Sequence, residues 1–230
     1  MSLLTLTQDA CALVGIDVPT AVVSSTDPTY TQFVYLAQYE GDEMNRAHKW
    51  RKQKVQASFT GDGSTTIWAL PTDFERFTTE QRRASSILLG LQGPVSDDEF
   101  LDAQVRGFNP TIPYWRVSGD NIETVPAVMS GQVVKFEYVS SYWLTDNGGT
   151  PKARFTADTD LSLLPDRLLT LGVVWRWKRA KGLDYAQELA DYKMEVARQM
   201  HTDGGTPRLR MSEGRDFYHP YMKNAYVVNT

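Results

Sequence analysis

The stretch Gln132-Val133-Val134-Lys135-Phe136-Glu137-Tyr138 alternates apolar and polar residues. Further along, Leu164-Pro165-Asp166-Arg167-Leu168-Leu169-Thr170-Leu171-Gly172-Val173-Val174-Trp175 does not. In the first, Val134, Phe136 and Tyr138 share one face of a strand, and Lys135 and Glu137 the other. In the second, Leu164, Leu168, Leu171, Gly172 and Trp175 recur at helical spacing, with Pro165 suited to the first helical position. This change of period predicts a mixed α+β chain. Trp177 lies off the helical stripe, because two residues rotate by about 200° around a helix. One of Trp175 and Trp177 should therefore enter the core, and the other should be lightly exposed or covered by another chain. Arg176, Lys178, Arg179 and Lys181 crowd the C-terminal half of this helix, which the helix dipole favours. They read as a solvated helix end or a salt-bridging contact between protomers. Gly182 closes the helix.

Upstream of Gln132, period two extends back to about Trp50. Val55, Ala57 and Phe59 alternate with Gln56 and Ser58. Gly61-Asp62-Gly63-Ser64 supplies turn chemistry, and 66–70 reads as a return strand stopped by Pro71. Residues 85–89, 114–117 and 121–125 read as further strands, with Ser118-Gly119-Asp120 as a hairpin turn; 78–83 and 97–104 read as loops or short helical excursions. Many short strands separated by turn residues predict an antiparallel β-sandwich or barrel.

Helical signals flank this region on both sides. Thr5-Leu6-Thr7-Gln8 has the form of a capping box, Leu6, Ala10, Leu13 and Val14 form a stripe, and Gly15 supplies a stop. Asp27 and Pro28 open a second helix, along which Phe33, Leu36, Ala37, Glu40, Met44 and Ala47 recur up to His48; Glu40 interrupts the apolar face. After Gly182, Asp184 and Gln187 suit a new N-terminus, Tyr185, Leu189, Tyr192, Val196 and Met200 mark a face, and Asp203-Gly204-Gly205 ends it. The predicted organisation is a discontinuous α-helical bundle (1–49 and 151–203) interrupted by a β insertion (50–150) and followed by an extended C-terminal arm (204–230).

The 230 residues carry 24 Lys and Arg against 28 Asp and Glu, a net charge of −4, with 41% hydrophobic and 11% aromatic residues. These are globular values. A single cysteine, Cys11, excludes an internal disulfide framework and any multi-cysteine metal site. No apolar run approaches the roughly 20 residues of a membrane span, and no basic region precedes an apolar stretch at the start. The acidic balance argues against a dedicated nucleic-acid binder.

Chemistry-bearing constellations are sparse. His48, His201 and His219 lack the spacing of a metal pair, and Cys11, beside stripe residue Ala10, reads as a small buried hydrophobe. Residues 61–66 outwardly resemble a phosphate cradle, but carry no lysine and lie between strands. Asp158, Asp160 and Asp166 read as helix-capping carboxylates before Pro165. No catalytic, cofactor-binding or metal residue is assigned, and no enzyme activity or cofactor is expected. Trp68, Trp115 and Trp143 are the candidates for a second reading, a carbohydrate-binding β-sandwich module.

The arm is the most informative segment. It combines Arg208, Arg210, Arg215 and Lys223 with Phe217, Tyr218, Tyr221 and Tyr226, the side-chain types enriched in binding hot spots. A segment with little periodicity must obtain its burial elsewhere, either by folding back on its own domain as an ordinary terminus or by docking on a neighbouring subunit.

Three stretches carry a resemblance. One is the capped helix at 5–15 with the second helix running into His48-Lys49-Trp50. Another is Tyr142-Trp143-Leu144 with Phe155-Thr156-Ala157-Asp158-Thr159-Asp160 before Leu164-Pro165. The third is Trp175-Arg176-Trp177-Lys178 through Lys181-Gly182-Leu183-Asp184-Tyr185 to Tyr192. Together they resemble the bacteriophage head-to-tail adaptor (connector) proteins, in particular the tail tubular protein A-like group. The resemblance implies a homo-oligomeric ring, a dodecamer in such adaptors, made in the host cytoplasm and placed in the virion at the head–tail junction. It implies portal protein on one face, the next tail component (nozzle or tail tube) on the other, and DNA passing through the lumen without sequence-specific binding; no membrane is involved. Arg208, Arg210, Phe217, Tyr218 and Tyr221 would then form the portal-binding arm, and Trp175, Trp177 and Arg179 the ring-packing neighbourhood. Another virion tail-completion or decoration protein is the alternative within the same class.

Overall fold

The structure is a computed structural model that describes residues 1–78, 83–84, 91–106, 110 and 112–204. Among these residues it is a mixed α+β protein with five α-helices and three small antiparallel sheets. The helices are α1 (Leu3–Val14), α2 (Pro28–Ala47), α3 (Asp97–Val105), α4 (Asp166–Ala180) and α5 (Ala186–Gly204). The strands are β1 (Lys54–Thr60), β2 (Ile67–Ala69), β3 (Phe74–Phe77), β4 (Arg83–Ala84), β5 (Tyr114–Ser118), β6 (Asn121–Val125), β7 (Val133–Ser140), β8 (Leu144–Thr145), β9 (Pro151–Lys152) and β10 (Leu161–Ser162).

Helix α4 is the centre of the helical body. Leu168, Leu169, Thr170, Gly172, Val173, Val174, Trp175 and Trp177 are all buried, so the helix is covered on nearly every side rather than along one stripe. Helices α1, α2 and α5 provide the cover. Pro165 is the N-cap residue rather than the first helical residue. Helix α1 begins earlier than the Thr5 capping box predicts: Ser2 is its N-cap and accepts from the Thr5 N–H. Gly15 closes it at φ 74°, the left-handed conformation glycine adopts without penalty. Asp27 and Pro28 open α2 as expected, with the Asp27 carboxylate accepting from the Thr29 N–H at 2.7 Å.

Two close approaches fix this packing. The Trp143 ring, fully buried, lies directly over Gly41, where an added Cβ would fall 2.1 Å from ring carbon Cη2. Gly172 faces the Glu40 side chain in the same manner, at 2.4 Å from its carboxyl carbon. Trp143 and Leu144 thus belong to the core that holds Leu3, Leu6, Phe33, Leu168 and Trp177.

β1 and β3 flank β7, and the Val55↔Tyr138, Ala57↔Phe136 and Phe59↔Val134 pairs give one inward face. Strand β2 pairs with β6, not with β1, so residues 61–66 cross between two sheets instead of closing a hairpin. Gly61 and Gly63 donate to the distant Gln132 and Val128 carbonyls and hold the turn against the β6–β7 connection, while Asp62 accepts from the Ser64 and Thr65 N–H groups. The β5–β6 hairpin at Gly119-Asp120 forms as expected. Residues 97–104 fall in α3, which carries a full capping box between Ser96 and Glu99. The strand expected at 85–89 lies outside the described residues. The β region is tied to the end of α2 by the Arg76 guanidinium, which donates to the Asn45 and His48 carbonyls at 2.7 and 2.8 Å.

The carboxylates before α4 do not cap it. Asp158 accepts from the Val22 and Val23 N–H groups, and its carbonyl, with that of Asp160, receives the Leu4 and Leu3 N–H groups at the start of α1. The Asp160 carboxylate is buried, with Lys152 Nζ at 2.7 Å and the Thr156 and Ala157 N–H groups at 2.6 and 2.9 Å. Burial alone would raise its pKa; Lys152 and the two N–H donors outweigh that, and the pKa is lowered.

Two outcomes are expected. Gly41→Ala should destabilise the fold by about 3 kcal/mol, because a buried indole must be displaced, and thermal unfolding followed by circular dichroism measures it. Asp160 contributes stability that is complete above the ordinary carboxylate pKa of about 3.9 and is lost as pH falls through its lower folded value. The acid limb of the stability curve of Asp160→Asn should therefore be flatter than that of the parent in melts taken from about pH 6 to pH 2.

Candidate docking surfaces

The sequence-selected Trp175 and Trp177 both lie inside the chain, each about 7% exposed. The expectation that one of them would be left for solvent or a partner is corrected. Trp177 stacks on Phe33 of α2 at 5.7 Å, while Trp175 lies against Tyr185 and Tyr192 around α5 at 6.3 and 6.0 Å. A helix enclosed by three others has a buried site for a side chain pointing either way. Arg179, one turn beyond Trp175, is exposed.

The basic cluster is likewise not a uniformly solvated end. Arg176 pairs with the fully buried Glu40 across the α2–α4 contact, and its guanidinium sits over the rings of Tyr39 and Trp175 at 4.7 and 4.6 Å. Lys178 pairs with Glu188 of α5. Burial and the adjacent Glu40 carboxylate push the Tyr192 hydroxyl well above its ordinary pKa. Glu40 breaks the apolar stripe because it has this one cation to meet. Cys11 is buried as expected, and burial pushes its thiol up to about 11.

Several large apolar side chains of the helical body stay outside. Tyr35 and Tyr39, one turn apart on α2, are 70% and 45% exposed. Leu13, Leu183 and Met194 are also exposed. The tyrosine pair escaped the sequence reading, which followed the buried stripe; its signal is an aromatic pair at i, i+4 off that stripe.

A second surface is the open cleft beside α3, of about 540 Å³, lined by Gln92, Val95, Glu99, Asp102, Ala103 and Tyr114, with Arg106 at its end. Arg116 fastens α3 to the β5–β6 hairpin, pairing with Glu123 at 2.7 Å and lying 4.2 Å over the Phe100 ring.

The third feature is the root of the arm. The Asp203 carboxylate meets His48 Nε2 and the Arg51 N–H, both at 3.1 Å, so the end of α5 is fixed beside the entrance to β1. Arg208, Arg210, Phe217, Tyr218 and Tyr221 lie outside the described residues.

The carbohydrate-binding alternative loses its platform. Trp115 and Trp143 are buried, and Trp68 stacks on Phe59 at 4.5 Å. Among the described residues no group of three or more His, Cys, Asp or Glu side chains could hold a metal ion, and no helix is long and apolar enough to cross a membrane.

Arg176→Ala should cost about 3–5 kcal/mol, since it strands a carboxylate at a fully buried position. Adding Glu40→Leu to that variant should recover most of the loss, as read by urea unfolding.

No curated protein matches this chain. The family model described as SU10 adaptor protein matches residues 1–218, which include all three surfaces and most of the arm. The helix–strand–helix plan and its resemblance to connector proteins point the same way: this chain belongs to the SU10 adaptor protein family, a family of phage adaptors.

Proposed function

We propose that this protein is a structural component of the virion at the head–tail junction, where copies close into a ring that joins the portal to the next tail component and surrounds the DNA channel. The observation that carries the reading is the family match over residues 1–218, spanning the helical body and the β region together. The exposed Tyr35, Tyr39 and Met194 add to it, because a helical body that has already buried both α4 tryptophans still keeps large apolar side chains outside.

A ring needs two different complementary faces on each subunit. In this reading the α2 tyrosines and the exposed Arg179 belong to those faces, while Trp175 and Trp177 stiffen the body that carries them. The cation and the aromatics are side-chain types that contribute most at interface centres. The arm, with Arg208, Arg210, Phe217, Tyr218 and Tyr221, docks on the portal. The chain's net charge of −4 suits a lumen through which DNA passes without being held.

The full chain mixed with purified portal particles should give a stoichiometric complex that sediments with the particles, and a chain ending at Gly204 should not. Equal binding by the shortened chain overturns the arm's role. A monomer that ignores portal-bearing heads overturns the adaptor reading itself.

A further inference from the structure

Helix α3 is held far more lightly than α4. Of its nine residues only Phe100 and Ala103 are buried, whereas α4 buries eight of fifteen. Phe100 and Ala103 form a small cluster with Val125 of β6, bordered by Val95 and Tyr114. That cluster is separate from the core of the helical body and from the Trp115, Phe136 and Tyr138 cluster of the β region. Helix α5 also exposes most of its residues, yet it packs on the main core through Tyr192, Val196 and Met200. Helix α3 reaches neither large cluster.

Its polar ties are equally slight. Among the described residues one ion pair joins α3 to the β5–β6 hairpin: Asp97 meets Arg116 at 3.2 Å, and the Asp97 side chain is 84% exposed. An ion pair this exposed adds little. Arg116 has its closer partner, Glu123 at 2.7 Å, within the hairpin itself. The Ser96–Glu99 capping box acts at the start of the helix and fastens it to no other element. Isolated helices shorter than about 12–15 residues are marginal in water, so α3 owes its order chiefly to one inserted ring, that of Phe100. Elements with few buried apolar contacts open as contiguous units at a lower free energy than the whole fold.

We propose that α3 is a cover that opens as a unit while the helical body and the β1–β7–β3 sheet stay closed. Opening withdraws Phe100 and Ala103 from Val125 and Tyr114. It also removes Glu99, Asp102 and Ala103 from one side of the cleft that they line with Gln92, Val95 and Tyr114. The cleft is then the closed form of a larger apolar surface on the β5–β6 hairpin. The opening belongs to the free subunit and does not rest on the adaptor reading.

The test uses the full chain alone, carrying Ala103→Cys beside the native Cys11. Position 103 lies in α3, and Cys11 is fully buried in the core of the helical body, so the two thiols report on the two units. The chain is mixed with an aromatic disulfide reagent, each labelled site is located by peptide mass, and rates are normalised to those of the unfolded chain. The introduced thiol should label about a hundredfold faster than Cys11. Low urea should leave its rate nearly unchanged, because little surface is exposed, while Cys11 labelling rises with urea as global unfolding does. Equal rates with one urea dependence overturn the proposal, since α3 then opens only with the whole fold. A rate equal to that of the unfolded chain also overturns it, since α3 is then not a closed cover. Amide hydrogen exchange gives an independent reading: Phe100→Leu should speed exchange in α3 by about tenfold and leave α4 unchanged. Equal acceleration in α4 overturns the proposal.

Discussion

A helix buried all round must find cover from several others, and α4 finds it from α1 and α2 on the far side of the β strands and from α5 immediately after it. The body of the protein therefore cannot form from either end of the sequence alone. Everything between Trp50 and Ser140 has to leave and return while α2 and α4 stay in contact. The tie from Arg76 to the carbonyls at the end of α2, and Trp143 lying on Gly41, hold the exit and return points together. The lack of a side chain at Gly41 of α2 leaves room for Trp143, and at Gly172 of α4 for the Glu40 side chain of α2.

The charges inside this body join its elements to one another. Glu40 meets Arg176 across α2 and α4, Asp160 gathers Lys152 and two backbone donors beneath the start of α1, and Glu195, held near pKa 2 chiefly by Arg198, is shielded on α5. Each buried carboxylate is worth little as net stabilisation, but each would be costly if its partner moved. They penalise alternative registers between elements. In the proposed ring, a body with fixed registers would suit a subunit whose outer faces repeat their contacts.

The same economy explains the outer surface. The large aromatic side chains of α4 are buried inside the subunit, whereas Tyr35 and Tyr39 of α2 stay substantially exposed. The end of α5 is fixed by Asp203 beside the entrance to β1.

Much of the fold was legible in the sequence. The Gly119 hairpin, the Asp27-Pro28 start and the Gly15 and Gly182 stops all rest on interactions within a few residues, and each forms as read, while the alternation at 132–138 appears as β7, Val133–Ser140. The capping box at Ser96 is equally local, and a stricter reading of Ser96-x-x-Glu99 would have found α3 as a helix. The partner of β2, the burial of both Trp175 and Trp177, the pairing of Glu40 with Arg176 and the role of Asp158 and Asp160 under α1 were not legible. The sequence by itself determined most of the elements, because caps, turns and periodicity act between near neighbours along the chain, and three of its stretches carried the resemblance to the adaptor family. Only the tertiary structure decided which polar and aromatic side chains are inside, because burial depends on contacts between residues more than a hundred positions apart, as Glu40 and Arg176 are.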